Sequence, residues 1–456
     1  MDLLVNSRAS QKRWSQNPLA GYTRFFLLWI VFVTPTTASR AQSGQVGLTV
    51  IDLVEMAVKH NRDFLAARER VAEAQALLRQ AGLRPTPTFE TEFSTGSPLQ
   101  SPGEEEYSAA FFQPIETAGK RSKRTEVARK SLELGGAELE EARRQLVFEV
   151  KMTYAQAIAA EQKVAAIDRL MSVGHQTYTL TEARVREGDA APLEQDLLLT
   201  ELKRSEAQQR ALAGQAQSAL LDLRKVVGLS PSEPLQLADS VGGDTKVLDP
   251  AGDLTPLAEL QERALQNRPD LKVLRIQGGQ AAAETTLARA EGKPDLTASV
   301  RYIWQHSQFP QLGFNSSGAL VPIVEQNNLI AFGLSVPVFT GRRARGAVDA
   351  ALSRQAQVRL RREFLESSIP LEVEAVYREW EAARSALSIF ASGVIGQSEK
   401  NLAVIRESYR LGQLRIIDVL NEQRRLIDTE LAYIDAQLDL ARAMAELERA
   451  VGGSLR

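Results

Sequence analysis

Two hydrophobic periods alternate along this chain, and they do so twice. Over Leu48–Gly82 and over Leu254–Gly292 the sequence reads as helix. Each stretch stops at a glycine just ahead of a proline, Pro85 and Pro294, which is a helix-stop signal. The period then falls to two. Leu296, Ala298, Val300, Tyr302 and Trp304 alternate with Thr297, Ser299, Arg301, Ile303 and Gln305, giving one apolar and one mostly polar strand face. Ile330, Phe332, Leu334, Val336 and Val338 form the partner strand. Phe89/Thr91/Phe93 and Tyr107/Ala109/Phe111 repeat the pattern more weakly in the first half. The connections Ser94–Glu106 and Ser307–Asn328, rich in Gly, Pro, Ser and Asn, read as surface loops. A helix of exceptional length follows each strand pair. From Ala118 to Val185 no proline intervenes, and Val150, Ala157, Val164 and Met171 recur every seventh residue; such a helix is ~100 Å long. A turn at Gly188–Pro192 leads to a return helix, Leu193–Val227. The second half runs from Arg342 to Tyr409, turns near Gly412 and returns to Ala450. Along that return Ile427, Leu431, Ile434, Leu438, Ala441 and Ala445 step by four and three, an antiparallel coiled-coil seam. Pro370 is expected to kink or end the second long helix.

The halves are one plan repeated. AVKHNRDF and ALQNRPDL align at an offset of 207 (264 − 57), VFEVKMTY and PLEVEAVY at 223 (372 − 149), and the turn glycines Gly188 and Gly412 at 224. Gln113-Pro114-Ile115 before Gly119 resembles Val336-Pro337-Val338 before Gly341. Four anchors in one order argue for an internal repeat. Residues 42–228 and 254–452 are then the two repeats, with hairpins at about 85–115 and 294–339. The Pro/Gly/Asp-rich stretch 229–253 is the linker.

Ahead of the repeats, Arg8, Lys12, Arg13 and Arg24 precede the apolar run Phe25–Val33, and small residues lead to Ala41. This describes a cleaved secretory signal over 1–41. The run is short of the ~20 residues of a spanning helix. Across all 456 residues there is no cysteine, which excludes disulfides, thiolate metal sites and cysteine nucleophiles. The three histidines lie far apart, and a net charge of −2 gives no global nucleic-acid footprint. No phosphate loop, GxSxG or HExxH is present, so no catalytic residue, cofactor or metal site is assigned.

A chain exported with amphipathic strands and no spanning helix must cross lipid, if it does, as a closed barrel. Four strands per chain make eight from two copies and twelve from three; twelve suffice for an aqueous pore. At this point the motifs AVKHNRDF, ALQNRPDL, QAGLRP, QPIETAGKR, ARVREGDAAPLEQD, SVPVFTGR and YRLGQLRIIDVLNEQ resemble those of the TolC-type outer-membrane efflux channels. The resemblance covers about residues 48–452, and QPIETAGKR looks most like the heavy-metal, CzcC-like branch. It implies a mainly α fold with membrane β: two tandem repeats, each a helix, a β-hairpin and a long antiparallel coiled coil. It further implies a homotrimer with a twelve-stranded barrel in the outer membrane of a Gram-negative bacterium and an α-barrel in the periplasm. A periplasmic adaptor and an inner-membrane pump of RND or ABC type would be its partners, and metal cations a candidate cargo.

Carried onto this sequence, the resemblance makes Arg186, Glu187, Gly188, Glu194, Tyr409, Arg410, Gly412 and Asp418 the periplasmic tips that gate the channel and meet the adaptor. Their Arg and Asp/Glu side chains either pair between helices and hold the tip shut or are ordinary solvated helix-end charges. Some relatives carry a further acid three residues after the Asp418 position; here it is Asn421, which argues against strong cation preference. Independently of the family, Lys120, Arg121, Lys123 and Arg124 open the first long helix and Arg342, Arg343 and Arg345 the second. Cations there oppose the helix dipole; phospholipid phosphates at the periplasmic leaflet of the outer membrane are the candidate partners, and a tolerated solvated turn is the alternative. The competing readings are a periplasmic coiled-coil adaptor or scaffold, a type I secretion duct, and a secreted enzyme on a helical frame; the first should show a single helical hairpin, and the last lacks a motif.

Overall fold

The computed structural model describes residues 47–96, 103–238, 255–338 and 341–455. The leader with its cleavage site at Ala41, and linker residues 239–253, lie outside the described residues. Each repeat opens with two short helices where one was expected: α1 (Val50–His60) and α2 (Arg62–Ala81), then α5 (Leu257–Asn267) and α6 (Pro269–Glu291). The break falls inside the AVKHNRDF and ALQNRPDL motifs. Asn61 leaves the helical region (ψ 118°) and caps α2 by accepting from the Phe64 amide at 2.9 Å. Arg268 also leaves the helical region (ψ 122°), without a side-chain cap, because it precedes Pro269, and a residue before proline is driven out of the α region. Both break residues reach one carbonyl of the return helix. Asn61 Nδ2 donates to Val226 O at 2.8 Å, and an Arg268 guanidinium N–H to Ala450 O at 3.2 Å.

The hairpins are β1 (Thr88–Thr95) with β2 (Glu104–Ile115), and β3 (Leu296–Phe314) with β4 (Leu320–Ser335). They join as one antiparallel sheet in the order β1-β2-β3-β4. The expected loop Ser307–Asn328 is mostly strand, with only 315–319 left as the turn. Pro310 sits in the bulge between Phe309 and Leu312, and Asn315 and Gly318 in the turn, while Gly313, Pro322, Asn327 and Asn328 pair within the strands.

The long helix α3 spans Lys120–Glu187, 68 residues, and returns as α4 (Pro192–Val227). In the second repeat α7 (Gly341–Ile389) runs unbroken through Pro370. The interruption comes twenty residues later, in a wide π-turn at Phe390–Val394, before α8 (Ile395–Arg410) and the return helix α9 (Ile416–Val451). Gly393 there takes φ +122°, a conformation glycine alone adopts readily. The sequence offset explains the interruption. It is 223 at Tyr154/Tyr377 and 224 at Gly188/Gly412, so the second repeat carries one extra residue between them. A π-turn absorbs one extra residue without changing the helix faces on either side.

The two cores bury aligned positions. Leu53, Ala57, Phe64, Leu146, Val150, Leu223 and Val227 are buried in the first; Leu260, Ala264, Leu271, Ile369, Val373, Leu447 and Val451 in the second. Helix α9 buries two stripes rather than one seam. Ile434 packs on Ala159 and Ala166 of α3, while Ala436, Leu440, Ala443 and Leu447 face α5 and α7.

Candidate functional site: an open-edged sheet and a tied helical tip

The register assigns each strand residue a face. Glu90 and Glu92 of β1 lie in line with Ala110 and Ser108 of β2, these with Arg301 and Ile303 of β3, and these with Ala331 and Leu329 of β4. This face is mostly polar, and Arg301 lies 3.7 Å from Glu92 across it. The other face carries Phe89, Phe111, Val300 and Phe332 in one row; Phe332 is 81% exposed. Phe93, Tyr107 and Trp304 form a neighbouring row with ring centroids 4.6 and 5.3 Å apart. Tyr302 Oη donates to Asn328 Oδ1 at 2.6 Å. An apolar band edged by amphipathic aromatics suits a membrane interface. Neither β1 nor β4 has a second strand partner among the described residues. On α7, Leu360, Phe364 and Leu371 make a further uncovered row, with Phe364 72% exposed. Among the described residues no helix is long and apolar enough to cross a membrane, and no three His, Asp or Glu side chains gather as a metal site.

At the far end the helices turn twice. Gly188 (φ +85°) closes α3 and Gly412 (φ +73°) follows α8. The expected charge pairing between helices is not what joins the tips. Arg410 binds Glu407 of its own helix at 2.9 and 2.5 Å. Arg186 lies 3.8 Å from Glu182, one turn back. Asp418 accepts from the Arg415 amide at 3.1 Å, capping α9. Glu187 is exposed. These side chains satisfy their own helix ends because such partners are three or four residues away.

Tyr409 makes the connection instead. It is 2% exposed and packs with Leu198, Ile416, Val419 and Leu420. Its hydroxyl donates to Glu194 Oε2 of α4 at 2.8 Å and lies 2.9 Å from Thr181 Oγ1 of α3. The tyrosine has one proton and Glu194 takes it, so Thr181 donates to Tyr409 in turn. Arg184 of α3 lies over the Tyr409 ring (4.9 Å to its centroid) and donates to its backbone carbonyl at 3.0 Å. Burial, opposed by the Thr181 hydrogen bond and reinforced by the Glu194 carboxylate, holds the phenol above its ordinary pKa, so it stays a neutral donor. Sequence reasoning named Tyr409 and Glu194 but missed Thr181 and Arg184. The signal in the sequence was slight, two threonines four apart, Thr177 and Thr181; the structure buries both. Farther along, Arg424–Glu201, Arg169–Glu430 and Lys163–Asp435 pair between helices at 2.5, 3.4 and 2.6 Å.

The basic group at the start of α3 also has protein partners. Arg121 and Arg124 donate to Gly82 O (2.6 Å), Ala81 O (3.1 Å) and Leu83 O (3.0 Å). These carbonyls end α2, where cations are favoured by the dipole. Arg124 also pairs with Glu116. Lys120 binds Asp295 at 2.7 Å, holding that carboxyl below its usual range against the cost of burial. Lys123 donates to Ala118 O at 2.5 Å. The first four cations therefore need no lipid to account for them. Arg345 is exposed, and the side chains of Arg342 and Arg343 lie outside the description.

Comparison with known proteins places this architecture. The family profile described as "Outer membrane efflux protein" matches residues 53–229 and 260–453. The cobalt-zinc-cadmium resistance protein CzcC of Cupriavidus metallidurans is 23% identical over 89% of this chain and 90% of its own length. The pyoverdine export outer membrane protein OpmQ of Pseudomonas putida is 25% identical over 88% and 85%. Among solved structures, the outer-membrane channel OprN superposes with a TM-score of 0.70 at 19% identity, covering 89% of this chain and 90% of that one. VceC of Vibrio cholerae gives 0.67 at 20%, covering 89% and 97%.

Proposed function

Because this chain belongs to the outer membrane efflux protein family, an outer-membrane efflux channel by function, we propose that it works as a passive trimeric duct whose periplasmic tip is latched shut by Tyr409. The observation that carries the trimer is the sheet: one polar face, one apolar face and two edges that have no partner among the described residues. A bare edge in lipid is untenable. Three copies pairing β4 of one with β1 of the next give a twelve-stranded barrel with the Glu90, Glu92 and Arg301 face toward water. The helices hang from it into the periplasm. Their exposed tips, with Arg186, Glu187 and Arg410, meet a periplasmic adaptor that links the duct to an inner-membrane pump. The names of CzcC and of a second relative, the nickel-cobalt-cadmium resistance protein NccC (26% identical over 72% of this chain), make divalent metal export the first cargo to test. OpmQ makes siderophore export the second.

The latch joins α8 to both helices of the other hairpin through one hydroxyl. Tyr409→Phe keeps the ring and its packing but leaves the buried Thr181 hydroxyl and the Glu194 carboxylate without their partner, at ~1–3 kcal/mol. The variant should show raised single-channel conductance in planar bilayers and sensitise cells to antibiotics too large for porins. Conductance equal to wild type would refute the latch. Loss of zinc, cobalt or cadmium tolerance on deletion, with siderophore export intact, would support metal cargo.

A further inference from the structure

The β3–β4 hairpin outgrows its sheet. β2 accompanies β3 only as far as Ser307, and beyond it the segments Phe309–Phe314 and Leu320–Ile323 pair with each other alone. They form a two-stranded arm of ~20 Å at ~3.3 Å per residue. Isolated two-stranded hairpins are marginal in water, yet this one is well built. At its tip Asn315 Oδ1 accepts from the Ser317 and Ala319 amides at 3.0 and 2.9 Å, and the Asn315 amide donates to Ala319 O at 2.9 Å. The arm is also apolar on both sides, and among the described residues no third strand pairs with it.

Its two sides differ in what they continue. Glu325, Ile323 and Val321 alternate along β4 on the face that holds Ala331, opposite Arg301, and Phe309 pairs with Ile323. This is the face of Glu90, Glu92 and Arg301, which cannot meet lipid. Phe309, Val321 and Ile323 stay 39%, 37% and 44% exposed in one chain. Leu312, Phe314 and Leu320 occupy the other face, continuous with the apolar band. Three large apolar side chains above a charged lining are badly placed in a water-filled mouth. Lipid is excluded on that side by the charges below, which leaves the same three residues of the other copies.

We infer that the arms of neighbouring copies close over the outer mouth of the channel, with Phe309, Val321 and Ile323 packed against their symmetry mates as an apolar seal. The inference rests on the trimeric barrel proposed above. A ring of such residues obstructs ions by dewetting and yields to a passing solute. This gives the duct a second constriction, at the end opposite Tyr409.

The absence of any native cysteine makes the test direct. Val321→Cys and Leu320→Cys differ by one residue and point to opposite faces. Each full-length variant, expressed in the outer membrane, is treated with a mild oxidant or a short bis-maleimide and run on denaturing gels. Linked pairs of chains are expected from Val321→Cys and none from Leu320→Cys. Unheated electrophoresis of the same samples reports the oligomer separately. An intact oligomer with no linkage at Val321, or with equal linkage at both positions, overturns the seal and leaves the barrel standing. Absence of the oligomer overturns both.

Discussion

At Arg268 a guanidinium is 4% exposed and spends its donors on Asp270 (3.1 and 2.6 Å), Glu372 (2.6 Å) and Ala450 O (3.2 Å). Arg449 adds a second contact to Glu372 at 3.2 Å, and Arg144 of the first repeat lies 4.0 Å from Asp270. The aligned position of the first repeat, Asn61, does the equivalent work with a neutral amide. Removing one member of a buried charged group leaves the others uncompensated. Arg268→Ala should therefore lower unfolding stability by ~3–5 kcal/mol, read by denaturant titration in detergent. Burial pushes the Asp270 carboxyl up, but its bonds and proximity to Arg268 outweigh this and hold it below 3.8. Since the folded value is the lower one, the stabilisation is complete above the ordinary carboxylate range and is lost as pH falls through the depressed value. The stability gap between wild type and Asp270→Asn should stay constant above pH ~4 and narrow below it; a gap unchanged down to pH 2 would contradict the coupling. Glu372 and Ala450 were not legible as partners beforehand, because 104 and 182 residues separate them from Arg268.

Among the elements, the contrast lies between α3, continuous over 68 residues, and the α7–α8 pair, broken at Phe390–Val394. The sequence drew attention to Pro370, and the break is elsewhere. A proline costs a helix one donor and a local clash; an extra residue must be put somewhere, and here it lies near Gly393, where a Cβ would meet nothing within 4 Å. Backbone conformation and not packing thus fixes the site. Gly393→Ala should cost ~1–3 kcal/mol for forcing a β-carbon into this φ region. Deleting Ser392, which restores the first repeat's count, should be tolerated better, with α8 and its Tyr409 latch still in phase. Thermal midpoints of the two variants check this. Deletion more damaging than Gly393→Ala would mean that the π-turn is not the extra residue. The offset growing from 223 to 224 was readable from the start; which turn absorbed it was not, since any of some thirty positions would have preserved the pattern.

For the whole molecule the question is which sheet face meets lipid. An Arg on the lipid face near mid-membrane costs ~2–4 kcal/mol, and one on the lumen side far less. Phe332→Arg should therefore deplete the protein from the outer membrane, while Ser299→Arg, on the polar face, should leave its yield unchanged. Equal losses from both would argue that the sheet is buried in protein.

The sequence by itself determined the repeat, the strand faces and the long helices, because these follow from local periodicity and from one pattern written twice. It also held the motifs that mark the family. Only the tertiary structure decided which groups meet. The tip charges looked available for pairing between helices and were taken by neighbours on their own helix; a buried tyrosine hydroxyl made the link. The basic run that seemed to oppose one helix dipole serves the end of another. Which distant carbonyl or carboxylate a side chain reaches depends on how the helices pack, and spacing along the chain carries no record of that.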